Sequence, residues 1–432
     1  MDKKMRNIIL TIMMMAATVA YPQTDSLQTY IMAAINNNPE VMAKWYAYQA
    51  ALQGVCPAGT LGDPEVSVNF YTKPMTQVNG KQVASISLMQ MFPWFGTMKA
   101  AMNEKMWQAE TVYQRYREGG VNLAYQVENQ WFAMIALKEK MKTIDKQRAL
   151  LKNIERIALY KFKSPSTMKG GNMSDQLRLQ AEEARLDEQI ASVESQLQLM
   201  RQQFNLLLHR DTASSLSIPD TIIVREMPAV SWDEIEKNSP SLTRIKAEGE
   251  SYIAQSEKAR RMGMPMIGLG VQYMLNSKRD ALSDGAMESM NGNDMWMGMV
   301  KVTLPIYRRK IKAQRSAASL MKQSADESYS REVDVLRSQY LWIEQRAADV
   351  QRKIALYDRE MDILDHTLLM MKSEYTAGTT SLTDIIQTQR EHINYAFSKF
   401  EAQATYNTIV AEYEKLASVN DHGNRQQQLK KD

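Results

Sequence analysis

The chain has 432 residues, 24% charged and 44% hydrophobic, and a formal net charge of +4. Near-neutrality, with no basic cluster interleaved with aromatics, argues against a nucleic-acid partner. Low Gly (18) and Pro (12) among abundant helix formers favour long helices, and a lone Cys56 excludes an internal disulfide.

Residues 1–20 read as a secretory signal. Lys3, Lys4 and Arg6 precede the short apolar run Ile8–Ala17, and Ala16–Ala20 supplies small-residue cleavage context near Tyr21. No later stretch is long and apolar enough for a transmembrane helix, so a membrane-embedded mature chain would have to use β-strands closed into a barrel.

A first repeat is expected over 21–210. Its opening helical pattern, from Ser26, breaks at Asn36-Asn-Asn-Pro39, where Asn38 can cap a helix with Pro39 at its first position. Two alternating stretches, Glu65–Tyr71 and Val83–Met91, predict a β-hairpin over 65–91, with Lys73–Lys81 (Pro74, Asn79-Gly80) as its turn. Long helices follow over 97–162 and 174–209, broken at Ser164-Pro165 and Gly170-Gly171. Residues 211–231, with Pro219 and Pro228, form a link.

The plan then repeats over 232–418. Asn238-Ser-Pro240 answers Asn38-Pro39, and Pro265 follows Pro240 at the distance by which Pro64 follows Pro39. A second hairpin is expected over 266–304, with the longer loop, 276–294, and helices over 308–376 and 383–418. The first of these carries an unbroken 3,4 spacing: Val333, Leu336, Tyr340, Ile343, Ala347, Val350, Ile354, Tyr357, Met361, Leu364, Leu368, Met371, Tyr375. That 3.5-residue period marks a coiled-coil seam. Residues 419–432 form a polar tail.

The expected fold is mainly α with a β-barrel portion. Each strand has about the 9–11 residues that a tilted membrane strand needs, and aromatics stand at strand ends (Phe70, Tyr71, Phe92, Trp94, Phe95, Tyr273, Trp296, Tyr307). Four strands fall short of the roughly eight of the smallest membrane barrels, so several copies must share one.

The duplicated Asn-Pro helices, Asp63-Pro-Glu-Val-Ser67, Phe92-Pro-Trp-Phe-Gly96 and Glu374-Tyr-Thr-Ala-Gly378 leading to Thr383-Asp384 together resemble the TolC family of bacterial outer-membrane efflux ducts, over about residues 25–418. The resemblance implies a homotrimer with a 12-stranded barrel in outer-membrane lipid and a helical tunnel in the periplasm. It also implies an equatorial region at the link, and partners: a periplasmic adaptor (membrane fusion protein) and an inner-membrane RND-type pump. The helix-break loops would form the periplasmic mouth. Gly171, Asn172, Ser174, Gly378, Thr379, Leu382 and Thr383 would contact the adaptor, and Asp175 and Asp384 would ring the aperture. A simpler role for these two acids is at helix N-termini, where the dipole favours them.

No phosphate-binding Gly-Lys-Ser/Thr loop is present, and His209, His366, His392 and His422 are scattered, so neither an enzyme nor a cofactor is expected. Met287, Met290, Met295, Met297 and Met299 are candidate soft-metal ligands, and the Phe92-Pro-Trp-Phe-Gly96 segment resembles the heavy-metal branch of the family. With 32 methionines in the chain, Met as packing filler is the alternative. The expected cargo is heavy-metal ions or drugs; the competing functions are a duct for type I protein secretion and a non-conducting periplasmic coiled-coil adaptor or scaffold.

Overall fold

The computed structural model describes residues 27–77, 79–163, 173–279 and 291–418. The expected signal, the first helix break with Gly171 and Asn172, Met287 and Met290 in the second hairpin loop, and the polar tail lie outside the described residues.

Helices α1 (Leu27–Asn37), α2 (Pro39–Gln53) and the single turn α3 (Val55–Ala58) lead into strands β1 (Glu65–Gln77) and β2 (Gly80–Phe92). Asn38 caps α2 as its chemistry predicts, its side-chain oxygen accepting from the Glu40 amide at 2.9 Å. Helix α4 (Thr97–Lys163) runs 67 residues and α5 (Met173–Leu207) 35. The second half follows as α6 (Trp232–Asn238), α7 (Pro240–Met262), β3 (Met266–Ser277), β4 (Met295–Thr303), α8 (Arg308–Ala377) and α9 (Leu382–Ala417). Ser239 caps α7, with Pro240 in its first turn.

Among the boundaries that differ from expectation, two have a local physical reason. The region 73–81 is not all turn: β1 continues through Pro74 to Gln77, and its register shifts between Phe70 and Met75. Proline lacks an amide hydrogen, and Pro74 falls in the irregular stretch between Phe70 and Met75 where the pairing with β2 shifts, so no regular ladder hydrogen bond is asked of it. The last helix begins at Leu382, capped by Ser381 rather than opening at Thr383.

The chain divides into two compact units that cut across the repeats. One comprises residues 27–42, 117–238 and 336–418, and is helical. Its core includes Ile144, Leu151 and Ile154 of α4, Leu179 and Leu186 of α5, Leu368 and Tyr375 of α8, and Ile385 and Ile393 of α9. The Val333–Tyr375 seam explains this packing: each of its thirteen positions is buried or half-buried. The second unit comprises residues 43–116 and 239–335 and holds the sheet. Near its helices Lys258 Nζ lies 2.8 Å from the buried Glu104 carboxylate, and Trp45, Tyr48, Tyr113 and Tyr116 stack at centroid distances of 5.0–6.2 Å.

The four strands form one antiparallel sheet in the order β1-β2-β3-β4. The hairpins are joined across β2 and β3, with Ile86 opposite Tyr273 and Met91 opposite Gly268.

Candidate functional site: a two-faced sheet and two helix-turn tips

Registers assign each strand residue to a face, because side chains alternate along a strand. Val66, Val68 and Phe70 of β1 stand opposite Leu88, Ile86 and Ala84 of β2. That row continues through Val271, Tyr273 and Leu275 of β3 and Trp296, Val300 and Val302 of β4. One face is therefore almost wholly apolar, and it is uncovered: Phe70 is 80% exposed and Val300 73%. A soluble sheet would bury such a face. Here it has the composition of a lipid-facing barrel wall.

The opposite face carries Ser67 and Asn69 of β1, Ser85 and Ser87 of β2, Gln272 of β3 and Lys301 of β4, together with methionines. Met295, Met297 and Met299 alternate along β4 and so share this face, opposite Met274, Gln272 and Gly270. Met89 and Met91 on β2, which the sequence reading passed over, join them. Gly268 lets their thioethers lie flat on β3: the sulfurs of Met91 and Met89 are 2.5 and 3.2 Å from where a Gly268 Cβ would stand.

At the second helix break, Gly378 has φ +82°, a left-handed conformation that glycine adopts freely. The Thr379 amide donates back to the Glu374 carbonyl at 3.0 Å, and the Thr380 hydroxyl reaches the Glu374 carboxylate at 2.5 Å. Ser381 Oγ accepts from the Asp384 amide at 3.2 Å and donates to the Asp384 carboxylate at 2.7 Å, a reciprocal cap. Gly378, Thr379, Thr383 and Asp384 are exposed, whereas Leu382 is buried in the helical core. Ser174 is exposed and Asp175 half-buried. Burial, and then the Asp175 carboxylate, push the Tyr375 hydroxyl pKa up. Arg178 of α5 donates to the Thr383 hydroxyl, so the two tips are tied together.

Below the tips, Glu182 of α5 is buried between Arg185 and Arg390 of α9. Burial raises its pKa, but hydrogen bonds from both guanidiniums outweigh that and hold the carboxyl below its ordinary range.

The link is fastened by buried asparagines. Asn205 Nδ2 of α5 donates to the Thr212 and Ser214 carbonyls at 3.0 and 2.9 Å. Asn407 of α9 donates to the Ile223 carbonyl at 2.8 Å and accepts from the Arg225 amide at 2.9 Å. The Arg225 guanidinium pairs with Glu414 and lies 3.6 Å from Glu128 of α4. Burial first, and Glu414 second, push the Glu128 pKa up to about 7 against the pull of Arg225.

No family model matches the chain, and no curated protein does. Solved structures do. CusC, described with conformational changes accompanying folding and transmembrane channel formation, superposes with a TM-score of 0.71 at 15% identity, covering 90% of this chain and 91% of that one. The outer membrane protein VceC of Vibrio cholerae gives 0.71 at 13% identity, covering 90% and 96%. The open state of the Neisseria gonorrhoeae MtrE outer membrane channel gives 0.70 at 14% identity, covering 90% and 88%. The chain has the fold of these outer-membrane proteins, nearly end to end.

Proposed function

We propose that this chain is the outer-membrane duct of a tripartite efflux system, conducting passively what an inner-membrane pump delivers through a periplasmic adaptor. The observation that carries the reading is the sheet: one bare apolar face, one polar and methionine face, and two edges, β1 and β4, with no partner among the described residues. Backbone amides and carbonyls left open at a sheet edge are intolerable in lipid, so the edges must be closed by other copies. Three four-stranded sheets make a twelve-stranded barrel, within the size range of membrane barrels.

The α8–α9 turn is the adaptor-facing tip, with Gly378, Thr379 and Thr383 accessible, and the α4–α5 break is its counterpart. Asp384 and Asp175 line the closed mouth, where carboxylate rings favour cations. What passes is set by the pump that docks, and the polar face with its thioethers admits soft metal ions as one such cargo.

Planar-bilayer recording tests the reading. Purified protein should give discrete conductance steps with a cation preference, and Asp384→Arg should weaken that preference. An absence of steps contradicts the duct, and a preference unchanged in Asp384→Arg removes the aspartate ring.

A further inference from the structure

The first turns of α8 carry an electrostatic arrangement that neither the fold nor conduction requires. From Met295 to Ala325 there is no Asp or Glu, while Lys301, Arg308, Arg309, Lys310, Lys312, Arg315 and Lys322 fall in that span. Four of them, Arg308, Arg309, Lys312 and Arg315, line one cleft with Arg260 of α7, about 810 Å³ in volume. Arg260 and its neighbour Arg261 already share Glu257, at 2.6 and 2.7 Å. The other four have no carboxylate partner among the described residues.

This cluster is unfavourable where it stands. The amino end of a helix carries the positive end of the macrodipole, so cations there are disfavoured, and α8 has no acid in its first turn. Like charges within eight residues repel one another as well. The corresponding start of α4 manages with Lys99, Glu104 and Lys105, so a strand-to-helix passage of this kind does not need the charge. An anion in the cleft offsets both costs, since it would meet the guanidiniums beside the positive end of the helix dipole.

The position identifies the anion. Residues Leu304, Ile306 and Tyr307 separate the end of β4 from Arg308, and they are 61%, 78% and 86% exposed. An exposed apolar and aromatic segment followed at once by a basic run is the pattern of a membrane interface with anionic headgroups. We propose that the α7–α8 cleft binds the phosphate headgroup of an anionic phospholipid in the periplasm-facing leaflet of the outer membrane. The proposal rests on the duct reading, which sets that leaflet beside the helix-proximal ends of the strands. The lipid would anchor the chain at its correct depth.

Native mass spectrometry of the full, detergent-solubilised protein tests it, with phosphatidylglycerol and phosphatidylcholine added in equal amounts. The natural chain should retain phosphatidylglycerol at least about fivefold over phosphatidylcholine, and less so at high salt. The combined variant Arg308→Gln, Arg309→Gln, Lys312→Gln and Arg315→Gln should fall to near parity. A second variant, Arg308→Lys with Arg309→Lys and Arg315→Lys, keeps the charge and should keep the preference. Parity in the natural chain, or an undiminished preference in the glutamine variant, overturns the proposal. So does a glutamine variant that falls to single copies while each still prefers phosphatidylglycerol, because the cations would then serve contacts between copies. Conductance steps accompanied by lipid parity would sink this site and leave the duct standing.

Discussion

At the scale of single residues, the chain keeps buried charge only where partners surround it. Glu182 is secured by two arginines, and losing both would leave an uncompensated buried charge, a change that typically costs about 3–5 kcal/mol. Glu128 is different. Its pKa of about 7 lies above the unfolded value, so the folded chain holds a proton that the unfolded chain releases. Its contribution is therefore full below about pH 4, the unfolded range, and lost as pH rises through about 7. Glu128→Gln keeps the shape and removes the titration. It should match the parent in chemical denaturation at pH 4 and exceed it by up to about 3 kcal/mol at pH 8.5. A variant weaker than the parent at pH 8.5 would mean that Arg225 needs the Glu128 charge. None of this was legible beforehand: Glu128, Arg225 and Glu414 are far apart in sequence, and no local pattern connects them. Asn205 and Asn407 were hidden likewise, because an isolated Asn inside a helical run carries no periodic signal.

At the scale of elements, periodicity carried far. The seam of α8 was readable because a 3.5-residue repeat has one physical meaning, and the paired Asn/Ser-Pro starts of α2 and α7 follow from capping chemistry. Pro74 misled, since a proline reads as a break unless the strand is known to shift register there. The face shared by Met89, Met91 and the β4 methionines needed the cross-strand register, which sequence does not supply. The basic run at the start of α8 was lost in a whole-chain charge of +4. A second stripe on α8 also emerges only with burial in view. Trp342, Leu356, Ile363 and Met370 fall at multiples of seven on a face away from the filled seam, and are 50%, 49%, 52% and 66% exposed. A helix in a closed wall has neighbours on two sides, so this stripe is read as the seam for the next copy. Trp342→Glu with Leu356→Glu should preserve helical circular dichroism, touch no buried seam residue and yield single copies on sizing in detergent. Persistence of the oligomer would assign the stripe elsewhere.

At the scale of the whole molecule, the repeats gave away the architecture because each half must make the same journey: into the sheet, back out, and through a long helical hairpin. The number of strands then decides the rest. Four strands with an apolar outer face cannot be finished by one chain, and the sequence is duplicated without being doubled again. The described residues include no helix long and apolar enough to cross a membrane. The mass of the protein extracted from membranes is the decisive measurement. A particle of three chains that needs detergent to stay in solution is expected; a single chain that remains soluble in plain buffer overturns the shared barrel.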